Sequence, residues 1–120
     1  MTITPAFARQ FAEEWVAAWN AHDLARVLDH YTDDFRIETP LAVQLVPVSN
    51  GVLQGKPAIE AYWKTGLERI PGLCFRILDV LTGLNSLTIS YENGATGKRS
   101  AEVLFFNHDL KVYQAFVHYS

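Results

Sequence analysis

The hydrophobic pattern changes period partway along the chain, helical in the first part and alternating in the second. Phe7, Phe11, Trp15, Ala18 and Trp19 fall on one face of a first helix. Thr4 precedes it as a cap, and Pro5 takes the first helical position, where a missing N–H costs nothing. Asn20-Ala21-His22 breaks the run, and Asp23 can cap a second helix with Leu24, Val27, Leu28 and Tyr31 on one side. Asp33-Asp34 is a turn signal, and Phe35 to Thr39 reads as a short strand ending at Pro40. Residues 41–54 are apolar but interrupted by Pro47 and Ser49-Asn50-Gly51, so they read as an extended loop that can hold a hairpin. Pro57 starts a third helix with Ile59, Tyr62, Trp63, Gly66, Leu67 and Ile70 on one face, and Pro71-Gly72 ends it.

From Leu73 the period is that of strands. Residues 73–82 form one, and Gly83-Leu84-Asn85-Ser86 turns the chain. Leu87, Ile89 and Tyr91 alternate with Thr88, Ser90 and Glu92 in the next, and Asn93-Gly94 opens a hairpin turn. Two further strands span roughly 99–106 and 110–119. In the first of these, Leu104 and Phe106 lie on one face and Val103 and Phe105 on the other. In the second, Tyr113, Ala115, Val117 and Tyr119 oppose Val112 and Phe116. Strands apolar on both sides are covered on both sides. The helices supply one cover, and a second subunit is expected to supply the other, as a homodimer through the outer sheet face.

Composition narrows the class. With 120 residues, 49% hydrophobic and 12% aromatic, the chain can bury one core without disulfides or metal. The net charge of −3 is scattered and leaves no basic stripe, so nucleic acid is not an expected partner. No stretch approaches the ~20 apolar residues of a membrane span, and Met1 to Pro5 lacks the pattern of a signal peptide. The lone Cys74 fits a reducing compartment, so a cytoplasmic location is expected. The four histidines show no paired-ligand spacing and no phosphate loop appears, so neither metal nor cofactor is expected.

Three segments carry a resemblance. The run from Phe11 to Leu24, the stretch Tyr31-Thr32-Asp33-Asp34-Phe35 followed by a strand and Pro40, and Gly55-Lys56-Pro57-Ala58-Ile59-Glu60-Ala61-Tyr62-Trp63 resemble SnoaL-like and ketosteroid-isomerase-like members of the NTF2-like superfamily. The resemblance implies one α+β domain over residues 1–120, a cone of three N-terminal helices packed on a curled, mostly antiparallel sheet. That superfamily holds isomerases, cyclases, dehydratases and members with no known chemistry, so fold alone does not give function.

Carried over residue by residue, the isomerase roles fit unevenly. Its carboxylate base stands before the proline that ends the first strand, where this chain has Thr39, and a threonine hydroxyl cannot take a proton from carbon at neutral pH. Glu38 is adjacent but points to the opposite face unless the strand is bulged. The tyrosine donor matches Trp15, its supporting tyrosine matches Trp63, and the protonated acid donor matches Glu102. Steroid isomerisation by the familiar mechanism is therefore not expected. Glu102 and Glu38 are the catalytic candidates. The expected lining for a small apolar or aromatic molecule is Trp15, Trp63, Tyr31, Thr39, Tyr91, Leu104, Phe106, Ala115 and Val117, with Trp19 in the core. His22 is expected to face solvent or cap a helix, and His118 to lie on the outer face. Acid–base chemistry on a small carbonyl compound, ligand carriage without turnover, and dimerisation with a residual cavity all remain open.

Overall fold

In a computed structural model, which describes residues 2–120, four helices close over one face of a six-stranded sheet. The helices are α1 (Pro5–Asn20), α2 (Leu24–Leu28), α3 (Pro40–Leu45) and α4 (Lys56–Arg69). The strands are β1 (Tyr31–Glu38), β2 (Val52–Gln54), β3 (Phe75–Thr82), β4 (Ser86–Asn93), β5 (Arg99–Phe106) and β6 (Val112–Tyr119). They lie in the order β2-β1-β6-β5-β4-β3, antiparallel throughout except where β1 runs parallel to β6. This is the expected α+β cone, with one helix more than the periodicity predicts.

Local chemistry explains the helix ends. Thr4 Oγ1 accepts from the Phe7 N–H at 3.0 Å, and Asp23 Oδ1 accepts from the Arg26 N–H at 3.1 Å. Asn20 then ties α1 to the sheet: its Nδ2 donates to the Phe75 carbonyl at 3.0 Å, while its Oδ1 accepts from the Phe75 N–H at 2.7 Å. His22 is not simply solvent-facing, because its Nε2 lies 2.8 Å from the Leu73 carbonyl and fixes the approach to β3.

Segment 41–54 departs from the extended loop expected of it. Pro40 starts α3, Pro47 starts a single 3-10 turn, and Asn50 (φ 55°) and Gly51 (φ 88°) reverse the chain in left-handed conformations. β2 then pairs back on β1, with Ile37 opposite Leu53, so the hairpin is present and its loop is helical. Asp33 and Asp34 lie inside β1, where the pairing with β6 shifts register between Tyr31 and Arg36.

Bulges curl the sheet. Leu78 is extra between the Ile77–Tyr91 and Asp79–Ser90 pairs, and Tyr113 is extra between Gln114 opposite Phe105 and Val112 opposite Phe106. The second bulge corrects the alternation expected for β6. Val112 is buried beside Ala115 and Val117, while Tyr113 turns outward. On β5, Ser100, Glu102, Leu104 and Phe106 face the helices, and Val103 and Phe105 face away half-buried. The core holds Trp15 stacked on Phe75, ring centroids 5.8 Å apart, with Phe35 and Phe106 fully enclosed.

Candidate functional site

Between the helices and the sheet lies a partly open cavity of about 350 Å³, toward the lower end of the ~300–1,000 Å³ usual for ligand pockets. Its helical wall is Trp19 from α1 with Tyr62, Trp63, Gly66 and Leu67 from α4. Pro40, Leu41 and Gln44 of α3 form another side. The sheet contributes Ile37, Phe75, Tyr91, Glu102, Val117 and Tyr119. Gly66 presents no side chain, and a Cβ placed there meets nothing within 4 Å. Exposed Thr96 and Lys98, from the loop between β4 and β5, stand on the same border.

Strand alternation carries the polar groups inward. Glu102 shares its face of β5 with Leu104 and Phe106 and is only 7% exposed. Its Oε2 accepts a hydrogen bond from the Tyr91 hydroxyl at 2.5 Å. Its other oxygen has no protein partner and is not sealed from the cavity, since the only closed-off, unpartnered side-chain polar atom among the described residues is Trp19 Nε1. Burial pushes the Glu102 carboxyl up to about 7, against the downward pull of the Tyr91 hydrogen bond. Near neutrality it therefore exists in both forms, as a group that gives and takes protons must. Burial also raises the phenols of Tyr91, Tyr62 and Tyr119, and the charge of nearby Glu102 adds to this, so all three remain protonated donors.

A second polar group gathers around Thr39. Phe35, Ile37 and Thr39 share one parity on and just beyond β1, and Thr39 is 3% exposed. Its Oγ1 lies 3.5 Å from the Tyr62 hydroxyl and 3.5 Å from the Tyr119 hydroxyl. Glu38 points the other way and pairs with Arg36 at 2.7 Å on the outer face. It is absent from the cavity lining, so its candidacy as a base in the pocket does not fit this geometry.

The expected lining divides in two. Thr39, Trp63, Tyr91, Glu102 and Val117 border the cavity. Trp15, Tyr31, Leu104, Phe106 and Ala115 do not; they form the packed core toward the narrow end. Trp15 Nε1 donates to the Tyr31 hydroxyl at 2.9 Å, a buried pair that lies away from the cavity lining. Trp19, expected in the core, takes the place on the wall foreseen for Trp15. Tyr62 and Tyr119 were missed although the signal existed: Tyr62 lies on the apolar face of α4, and Tyr119 shares its parity with Val117.

Comparison with known proteins gives the class. The profile of the SnoaL-like domain matches residues 12–114, and the chain belongs to that family. A SnoaL-like protein of unknown function from Burkholderia thailandensis is 42% identical, with a TM-score of 0.94, covering 100% of this chain and 99% of its own. A structure from Agrobacterium tumefaciens, described as a candidate isomerase of the SnoaL-like family, is 17% identical with a TM-score of 0.75, over 94% of this chain and 97% of its own. One from Sinorhizobium meliloti, described as a candidate polyketide cyclase, is 10% identical with a TM-score of 0.72, over 91% of this chain and 94% of its own. The latter two likenesses are of fold alone. Among proteins of curated function, none matches the chain.

Proposed function

We propose that the protein takes one small apolar or aromatic carbonyl compound into the cone and that Glu102 acts on it as proton donor or acceptor, in isomerase- or cyclase-like chemistry. The observation that carries this reading is Glu102 itself, a carboxyl held near neutrality by an apolar cavity, tied on one side to Tyr91 and free on the other. Trp19, Trp63 and Phe75 offer flat faces to a ring. Membership of the SnoaL-like family supports the use of the pocket for small molecules.

A carrier role without turnover is the second reading, favoured by Thr39 where the isomerase-like relatives place a base. On either reading a Δ5-to-Δ4 ketosteroid assay should give nothing above background. The lone, exposed Cys74 supports a reducing, cytoplasmic setting. Among the described residues no helix is long and apolar enough to cross a membrane.

The deciding experiment is Glu102→Gln, which keeps the shape and the acceptor for Tyr91 but cannot ionise. The affinity of a bound aromatic ketone should vary with pH in the native protein and lose that variation in the variant. An unchanged profile between about pH 5 and pH 9 removes Glu102 from the function. Turnover that survives the substitution removes it from the chemistry.

A further inference from the structure

Among the polar residues that line the cavity, two groups of hydroxyl and carboxyl side chains stand out, and the proposed function uses only one. Tyr91 commits its proton to Glu102 Oε2 at 2.5 Å. The hydroxyls of Thr39, Tyr62 and Tyr119 are less closely paired: Thr39 stands 3.5 Å from each tyrosine, against the ~2.7–2.8 Å of a well-made hydroxyl pair. Tyr62 can donate to Thr39 while Thr39 donates to Tyr119, and this chain of three hydroxyls still leaves the Tyr119 proton without an acceptor among them. Thr39 and Tyr62 are 3% and 5% exposed, too enclosed for bulk water to reach freely, whereas Tyr119 is 42% exposed and can also meet solvent.

The three come from separate elements. Thr39 follows β1, Tyr62 sits on α4, and Tyr119 ends β6. Their convergence on the same cavity is therefore a product of the closed cone, not of a local turn. The indole N–H of Trp19, a residue of the same wall, is also without a partner but is closed off from the cavity, so it is not part of this group. A pocket with unused donors suits a ligand that brings oxygen acceptors.

We propose that Thr39, Tyr62 and Tyr119 form a second oxygen-binding subsite, and that the ligand is an apolar ring compound with two oxygen functions, one at Glu102 and one at this triad. This rests on the reading of the cavity as a small-molecule pocket and goes beyond it by fixing the ligand class. It also gives Thr39 a role: where related folds use an acceptor of protons, this chain holds a donor to oxygen. A cavity of about 350 Å³ has room for a fused two-ring skeleton carrying both groups.

Calorimetric titration with ethylnaphthalene, acetonaphthone and a hydroxyacetonaphthone bearing its oxygens on opposite rings tests this. The native protein should bind the two-oxygen compound about three- to tenfold more tightly than the ketone. Tyr62→Phe and Thr39→Val should each reduce that preference toward unity without weakening the binding of the hydrocarbon, and Tyr119→Phe should reduce it too. Glu102→Gln should retain the preference for the added hydroxyl. Melting curves establish that each variant is folded, and any one folded member of the triad suffices. Equal affinity for both oxygenated compounds, or a preference that survives the triad substitutions, overturns the subsite and leaves the pocket standing. Failure of all three compounds to bind overturns the pocket reading and the subsite with it.

Discussion

The Tyr91 hydroxyl donates to Glu102 Oε2 at 2.5 Å across the β4–β5 pairing, where Tyr91 stands opposite Ser100, two positions before Glu102. Both side chains are therefore on the inward face, the tyrosine one step along the ladder from the carboxyl. Burial works against the Glu102 charge and the tyrosine works for it, and burial prevails. The balance of these two opposing effects sets the protonation of the cavity.

Stability should record that balance. Glu102 has its folded-state pKa raised to about 7, so between about pH 4.5 and about pH 7 the folded chain holds a proton that the unfolded chain has released. The unfolded state then binds fewer protons, and stability falls as pH rises through this window. The stabilisation is full below the unfolded pKa and lost above the folded one. A shift of this size corresponds to roughly 3 kcal/mol in total. Urea denaturation across that range should show the decline, and Glu102→Gln should flatten it. A native slope identical to that of the variant would mean that the carboxyl ionises as freely as in water.

Removing the opposing effect should move the midpoint in a definite direction. Tyr91→Phe takes away the hydrogen bond that lowers the Glu102 pKa and leaves the burial that raises it. The carboxyl should then titrate above 7, read from the infrared band of its protonated form against pH. A midpoint that stays in place or falls would show that water, not Tyr91, solvates the ionised form.

How much of this was legible beforehand depends on what each residue's position obeys. Glu102 and Thr39 follow strand parity, which a sequence displays directly, and both face the cavity. Tyr113 breaks parity through a bulge, which follows from closing the sheet and leaves no local mark. Trp15 and Trp19 lie on the same helical face with ring centroids 6.2 Å apart. Which of them reaches the cavity depends on where along α1 the cone narrows, and that is a tertiary property. Segment 41–54 became helical because Pro40 and Pro47 each start a turn that β2 then pins to β1, a long-range pairing the local pattern does not encode.

Fluorescence can separate the two tryptophans. Trp19 and Trp63 border the cavity, their ring centroids 5.0 Å apart, whereas Trp15 is sealed behind them. A flat aromatic ketone should quench the native emission. Trp19→Phe or Trp63→Phe should each remove a substantial share of the quench. Quenching that persists undiminished in the Trp19→Phe, Trp63→Phe double variant would place the ligand elsewhere.

Gly66 offers a way to fill the pocket without touching its polar groups. It lies in the last turn of α4, where glycine in a helix costs up to about 0.5–1 kcal/mol relative to alanine, and open space lies beyond it. Gly66→Leu should therefore keep or slightly raise the melting temperature while abolishing ligand binding. Undiminished binding would mean that the ligand does not occupy the space beside α4.

The outer face of the sheet carries the remaining prediction. Val103 and Phe116 pair across β5 and β6, Phe105 packs edge-on to Phe116 with centroids 6.1 Å apart, and Leu81 nearby is 58% exposed. Val103, Phe105 and Phe116 are half-buried and Leu81 exposed, and an apolar patch left open to this extent suits an interface. The antiparallel strands allow a second copy to pack against it symmetrically, so that each residue on one copy meets its counterpart's neighbours on the other. We expect a homodimer by light scattering at micromolar concentration. Phe116→Glu should dissociate it, because a carboxylate in the middle of the joint would lose its hydration without a counter-charge. The inward face of β6 carries Ala115 and Val117, not Phe116, so the monomer should retain its pocket and the Glu102 titration. A native protein that scatters as a monomer would refute the interface, and a Phe116→Glu variant that remains a dimer would move the contact away from this face.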